Sequence, residues 1–342
     1  MREKNRRENF GMKKILITGL CAVLLSALLP ATAFAREVLV GGQAVGIQLH
    51  TQGVMVVGLA EIETAEGPRS PAADAGFRPG DRIVRIGERE VVTAADFLAA
   101  VATLEGEAAP VTAERGGKSV CMMIRPALSR EGQWMLGMWL RDGLSGVGTL
   151  TFYDPASGVY GALGHAVNDE ETGARLTLGS GSITEMQIVG VVPGLPGTPG
   201  ELSGCADVGA VLGSVEKNTD KGIFGHASAA LEGRTMETGE IRPGPATILA
   251  TVQGREVREY GVQIDRVYSE GGGHRVLLTV TDPALKELTG GIVQGMSGSP
   301  ILQDGKLVGA VTHVFVNSPE RGYGLGIDEM LAEAGLAQER AA

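Results

Sequence analysis

A chain of 342 residues, 43% hydrophobic and 20% charged, carries enough apolar side chains for two ordinary domains with separate cores. Its formal net charge of -10, with no basic stripe beyond the extreme N-terminus, argues against nucleic-acid binding, which needs clustered Lys and Arg to displace phosphate counterions. Glycine numbers 52 while aromatics make up only 4%, a balance that disfavours a helical bundle and favours short strands joined by glycine turns.

Arg2, Lys4, Arg6, Arg7, Lys13 and Lys14 precede an apolar run from Ile15 to Leu29, closed by Pro30-Ala31-Thr32-Ala33-Phe34-Ala35. Basic, apolar and small-x-small segments in that order predict an export signal over residues 1–35, cut after Ala35. The run is about 15 residues, short of the ~20 that span a bilayer comfortably, so removal is favoured over a retained anchor. Cys21 follows Leu20, too bulky a neighbour for a lipidated cysteine. Cys121 and Cys205 remain, one in each expected domain, and a disulfide between them and two buried free thiols are both open.

Residues 37–127 form the first expected module. Ala44-Val45-Gly46-Ile47-Gln48-Leu49 leads into the apolar run Val54-Met55-Val56-Val57. The later string from Ser70 to Ile86 predicts a short helix over 71–75, a stop at Gly76, a Pro79-Gly80 turn and a strand through Ile83, Val84 and Ile86. The segment resembles the PDZ domains of exported bacterial proteases. That resemblance implies that Val45, Gly46 and Ile47 form the loop receiving a peptide carboxylate, with a helix over 94–104 as the other groove wall. The bland alternative is a packing module that binds nothing.

Residues 128–342 form the second expected module. Short apolar segments broken by Gly, Pro and Asp predict roughly ten strands, which suit a pair of packed barrels. Helices are expected only after Asp282 and over 328–336. The fold class expected is therefore mainly β: a signal segment, a PDZ domain, then a trypsin-like double β-barrel.

Gly295-Met296-Ser297-Gly298-Ser299-Pro300 precedes an apolar strand, the pattern of a trypsin-like nucleophile turn. Small neighbours let the chain fold tightly, exposing the Ser297 hydroxyl while the N–H groups of Gly295 and Ser297 converge as an oxyanion hole. Ser299 is the lesser candidate. The sequence holds five histidines. His50 belongs to the first module, His274 sits among glycines, and His313 follows the serine on a strand as a packed or surface residue. His165, after Gly161-Ala162-Leu163-Gly164, is the favoured general base, and His226 in Gly225-His226-Ala227 is a fainter copy of its setting. No H-E-x-x-H occurs, so a metallopeptidase is disfavoured, and no metal or cofactor is expected.

Gly148 to Pro155, Gly161 to His165, Gly290 to Pro300 and Gly309 to Asn317 together resemble the stage IV sporulation protein B peptidases of endospore-forming bacteria. The resemblance implies His165, Asp282 and Ser297 as the catalytic triad. Read without it, Asp282 before Pro283 is foremost a helix N-cap, with Asp207 and Asp265 as rival acids. It further implies secretion into the space between forespore and mother-cell membranes and self-processing. The implied substrate is a membrane-bound regulator of an intramembrane protease, in sigma factor activation. The implied PDZ ligand is the enzyme's own tail or its target. A catalytically inert PDZ adaptor is the rival reading.

Overall fold

The computed structural model describes residues 36–169, 173, 175–270 and 273–336, so the predicted signal segment lies outside the described residues. The chain opens with β1 (Glu37–Val40) and a long β2 (Ala44–Leu59), whose two halves share one neighbouring strand and have different neighbours on the other edge. Its second half belongs to the PDZ module with β3 (Ile62–Thr64), β4 (Gly67–Arg69), α1 (Pro71–Asp74), β5 (Arg82–Ile86), β6 (Arg89–Glu90), α2 (Ala94–Ala102), β7 (Ala109–Arg115), β8 (Lys118–Ile124), β9 (Ala127–Leu128) and β10 (Trp134–Met135).

The turn chemistry read from the sequence is present here. Gly76 and Gly80 adopt φ of 88° and 90°, a region open to glycine at little cost, and they stop α1 and turn the chain into β5. Thr93 and Asp96 form a reciprocal capping box at the start of α2. Phe97 and Val101, one helical turn apart, then face a core shared with Val54, Ile83 and Val111. Burying an aromatic or branched side chain of this kind contributes about 1.5–3 kcal/mol.

The peptidase half consists of two barrels. The first uses β11 (Met138–Asp154), β12 (Val159–Ala162), β13 (Leu178–Val192), β14 (Glu201–Ser214), β15 (Lys217–Thr219) and β16 (Gly222–His226). The first half of β2 lies between β11 and β13, pairing Ala44 with Thr149 and Val45 with Glu185. Round the other way β11 pairs β12, and β12 pairs β16. The Ser228 N–H donating to Leu212 O at 2.8 Å and the bridge between Gly213 and Ala227 then close the circuit onto β14. Val45, Ile47, Leu150, Tyr160 and Ile223 fill its interior. The second barrel closes in the order β18 (Gly244–Ala250), β19 (Arg258–Glu270), β20 (Gly273–Val280), β23 (Arg321–Gly326), β22 (Lys306–Val314) and β21 (Pro300–Gln303). Ile248, Ile264, Leu278 and Ile301 are fully buried in its core. The helix α3 (Pro283–Thr289) follows β20, and α4 (Ile327–Glu333) follows β23. A further strand, β17 (Arg234–Glu237), pairs with β1 at the junction of the barrels.

Three expectations change. Residues 37–51, assigned by pattern to the PDZ module, are strands of the peptidase half, so the PDZ module is set into the first barrel rather than placed ahead of it. Val45, Gly46 and Ile47 accordingly form no carboxylate-binding loop. Both edges of this stretch are occupied, by Val147 and its neighbours on β11 and by Ile183 and Thr184 on β13. A strand hydrogen-bonded on both sides has no edge left for a peptide. The glycine at 46 has a different reason: a Cβ there would lie 2.7 Å from Thr184 Oγ1 and 3.1 Å from Ala206 Cβ. Cys121 and Cys205 are unpaired and exposed, neither bridged nor buried. No helix among the described residues is long and apolar enough to cross a membrane.

Candidate active site

Ser297 sits in a turn that the first barrel holds from below. Thr149, on β11, donates its N–H to Ser297 O at 2.9 Å and its hydroxyl to Gly295 O at 2.8 Å, while Thr151 donates its hydroxyl to Gly298 O at 2.7 Å. Both threonines are buried, so each hydroxyl needs its acceptor, and each acceptor is a carbonyl of the nucleophile turn. These positioning residues were missed by motif reading. Their signal was polar Thr alternating with apolar Leu150 and Phe152 along a buried strand.

Gly295 and Gly298 adopt φ of 97° and 94°, and a Cβ on Gly298 would lie 2.1 Å from Thr149 O. The glycine spacing is thus required by geometry, as the motif implied. Among the described residues none accepts the N–H of Gly295 or of Ser297. Ser299 is fully buried and its N–H and C=O are used within the fold, which removes it as a nucleophile.

His165 reaches the same place from β12. Leu163 and Gly164 both adopt left-handed φ, 69° and 72°, turning the chain sharply at the end of the strand. A leucine in this region costs on the order of 1–2 kcal/mol, offset by packing its side chain into the first-barrel core. His165 and Ser297 line one cleft of about 520 Å³, with Gly295, Thr312, His313 and Val314 on its walls. The Ser297 hydroxyl donates to Thr312 O at 2.7 Å, and His165 Nδ1 meets Ala166 O at 2.7 Å. A bond at Nδ1 fixes the imidazole so that Nε2 is the nitrogen left for proton exchange.

His313 lies against His165, with ring centroids 4.5 Å apart and planes inclined by 34°. The sequence read it as a packed or surface residue, and only the folding of β22 beside the cleft brings it here. Burial lowers the His165 pKa, with the Ala166 carbonyl opposing. His313 is lowered to about 4, first by loss of water around the ring and then by the charges of His165 and Arg275. A lowered histidine pKa leaves the neutral, base-competent form populated to lower pH. The acid limb of kcat/KM is therefore expected below the ordinary histidine value of about 6.5. Because the folded state binds this proton more weakly than the unfolded chain, stability falls as pH drops through the same interval. His313→Ala rehydrates the His165 ring and is expected to move the limb upward, read from a pH profile.

Asp282 is not brought to the cleft. Its Oδ1 accepts the Leu285 N–H at 3.0 Å as the N-cap of α3, and its Oδ2 accepts the Gly261 N–H at 3.4 Å. The carboxylate is held by the helix start, whose free N–H groups attract negative charge, and His165 Nδ1 faces a backbone carbonyl instead. Asp207 and Asp265 are exposed and bonded to Gly209 N and the Thr279 hydroxyl. Asp282→Ala is expected to cost about 1 kcal/mol in a denaturation curve, the usual loss of a cap. It should leave kcat/KM within a few-fold; a drop on the order of 10⁴-fold would restore the triad that the resemblance implied. His226 is exposed and paired with Glu216 at 2.7 Å, outside the cleft. Among the described residues no group of three His, Cys, Asp or Glu side chains could hold a metal ion.

Residues 132–331 match the family model described as SpoIVB peptidase S55. The chain belongs to the SpoIVB peptidase S55 family. Residues 64–115 of this S55 peptidase match the PDZ domain model. Two curated proteins named as zinc metalloproteases, from Brucella suis and Brucella melitensis, are each 41% identical over 61 residues, 18% of this chain. The S55 peptidase chain spans only 16% of their length. Among solved structures it is similar to the Rv3671c protease from M. tuberculosis. The active form is 14% identical with a TM-score of 0.34, covering 58% of this chain and 77% of that one. The inactive form is 14% identical with a TM-score of 0.30, covering 56% and 85%. Scores this low carry no argument about the site.

Proposed function

We propose that this S55 peptidase is an exported serine endopeptidase in which His165 takes the Ser297 proton and Ser297 attacks a peptide carbonyl. The observation that carries the reading is the convergence, in one open cleft, of a hydroxyl, an imidazole and two unbonded N–H groups on the same tight turn. In the attack the Ser297 oxygen forms a bond to the carbonyl carbon and its proton passes to His165 Nε2. The carbonyl oxygen, now negative, is met by the N–H groups of Gly295 and Ser297. Collapse of the tetrahedral adduct breaks the C–N bond, and the same proton leaves with the amine. Water then releases the acyl group by the reverse sequence.

Ser297 must rotate away from Thr312 O to meet the imidazole. Hydrogen bonds in a free enzyme often tighten only when substrate is bound, so this rotation is compatible with the chemistry. Substrate is a protein strand threaded between the barrels. The proposed biological setting is sporulation signalling: export across the cytoplasmic membrane, self-processing, and cleavage of a membrane-bound regulator of an intramembrane protease. The basic-then-apolar N-terminus and the family membership support that setting.

A second reading, an inert PDZ adaptor, draws on the absence of a carboxylate among the described residues that line the cleft and on the Ser297 bond to a backbone carbonyl. Labelling with a fluorophosphonate and mapping the modified peptide separates the two. Modification of Ser297 supports the peptidase; no labelling of folded protein, with no cleavage of casein-type substrates, supports the adaptor.

A further inference from the structure

Glu329, on α4, joins the two barrels. Its Oε2 accepts from Lys221 Nζ and, at 3.4 Å, from Arg275 Nη1. Lys221 lies in the turn between β15 and β16 of the first barrel, and Arg275 lies on β20 of the second. Arg275 has Glu270 as a more distant partner, Nε to Oε2 at 3.8 Å. Lys217 Nζ also donates to Glu333 O at 2.9 Å, so the β15–β16 hairpin holds α4 at two points one helical turn apart. A Cβ on Gly273 would overlap the Glu329 carboxylate, and glycine there leaves room for it.

The carboxylate is not needed to hold the helix down. Its side chain is 11% exposed, and Oε1 is buried with no hydrogen-bond partner among the described residues. Buried ion pairs recover little net stability after desolvation, and apolar groups of similar size often serve as well. Met330 and Leu331 already seat α4 in an apolar cluster with Leu307 and Leu325. The ion pairs add what packing lacks, a fixed position of the first barrel's turn relative to β20.

Both ends of that link reach the catalytic pair. Gly222 follows Lys221 and packs under the turn that presents His165: a Cβ there would lie 2.5 Å from Ala162 O and 3.2 Å from Gly164 N. Gly164 abuts the second barrel, its own added Cβ 3.1 Å from Thr312 Cγ2. At the other end the Arg275 charge acts on His313, which lies against His165.

We propose that Glu329 is a positioning residue for catalysis: by bridging Lys221 and Arg275 it fixes the His165 turn of the first barrel against the second barrel, which carries Ser297, and it balances the Arg275 charge beside the histidine pair. The inference rests on the peptidase reading above. The hydroxyl and the imidazole come from different barrels, so a shift of about 1 Å between them costs on the order of 10²-fold in rate and leaves most substrate contacts in place.

The test uses the full chain and a casein-derived peptide, with kcat, KM, the rate of fluorophosphonate labelling and urea unfolding measured for each variant. Glu329→Ala is expected to lower kcat and the labelling rate about 30- to 100-fold with KM within about twofold. Lys221→Met, which removes only the first-barrel tie, is expected to show the same split at about tenfold and decides the matter should Glu329→Ala fail to fold. Met330→Ala loosens the apolar seat of α4 and leaves the charges in place; it is expected to lose stability yet keep kcat within about threefold.

Glu329→Gln keeps the size and removes the charge. The charged groups facing Glu329 are Lys221 and Arg275, and those acting on His313 are His165 and Arg275. With Arg275 unbalanced, a protonated imidazole is disfavoured further, so the acid limb of kcat/KM is expected to move down; loosening alone would admit water to the ring and move it up. Losses in kcat that simply follow lost stability across these variants, with a limb that stays or moves up in Glu329→Gln, overturn the positioning role alone. Unaltered enzyme that neither labels at Ser297 nor cleaves overturns the peptidase reading, and this inference with it.

Discussion

Ser297→Ala is expected to lower kcat/KM for any cleaved peptide by at least about 10³-fold while leaving the unfolding midpoint nearly unchanged. The hydroxyl makes one hydrogen bond, to Thr312 O, at the margin of an open cleft, so its removal vacates little volume. The loss in rate has a different origin. Without the oxygen no acyl-enzyme forms, and what remains is substrate binding and any stabilisation by the Gly295 and Ser297 N–H groups, a residual that in such sites is far below the full rate. Single-turnover kinetics with a thermal melt on the same sample check both halves. A variant retaining full casein-type cleavage would transfer the chemistry to another residue, and the burial of Ser299 argues against that neighbour.

Gly298→Ala is expected to be the most damaging single methyl in the site, costing about 3–5 kcal/mol of stability together with activity. Two penalties combine. At φ 94° an L side chain is strained, and the added Cβ would lie 2.1 Å from Thr149 O and 2.5 Å from Leu163 N, backbone atoms that cannot rotate aside. Those atoms belong to the strand that holds the turn and to the loop that presents His165, so relief of the clash moves both. Gly305→Ala is the control. It shares a positive φ, 75°, but nothing lies within 4 Å of its Cβ, so only the backbone strain of roughly 1 kcal/mol is expected. Urea unfolding with unchanged m-values reads the difference; equal losses in the two variants would show that the contact with Thr149 does not matter.

Several features were legible from residue order because they are local. The stop at Gly76, the Asp282-Pro283 helix start and the glycine-flanked Ser297 turn each depend on a few consecutive residues, and all appear where the pattern placed them. Strand continuity was less legible: β11 runs as one strand from Met138 to Asp154, through Asp142, Gly143 and Gly146, because its pairing with β2 keeps it extended.

The sequence by itself determined the chemistry available to this protein: which hydroxyl can be exposed, which imidazole ends a strand, and which glycines must stay small. Tertiary structure alone decided who stands beside whom. Val45, Gly46 and Ile47 carry a PDZ-like string, yet their hydrogen bonds go to β11 and β13, because backbone pairing is set by the strands that arrive alongside, not by the residues paired. His313 reaches His165 from 148 positions away in the chain (313 - 165), and Asp282 is drawn to the start of α3 rather than to the imidazole. A carboxylate beside unfilled helix N–H groups is already stabilised where it stands, and whether it ever meets a histidine depends on how the strands on either side of it pack.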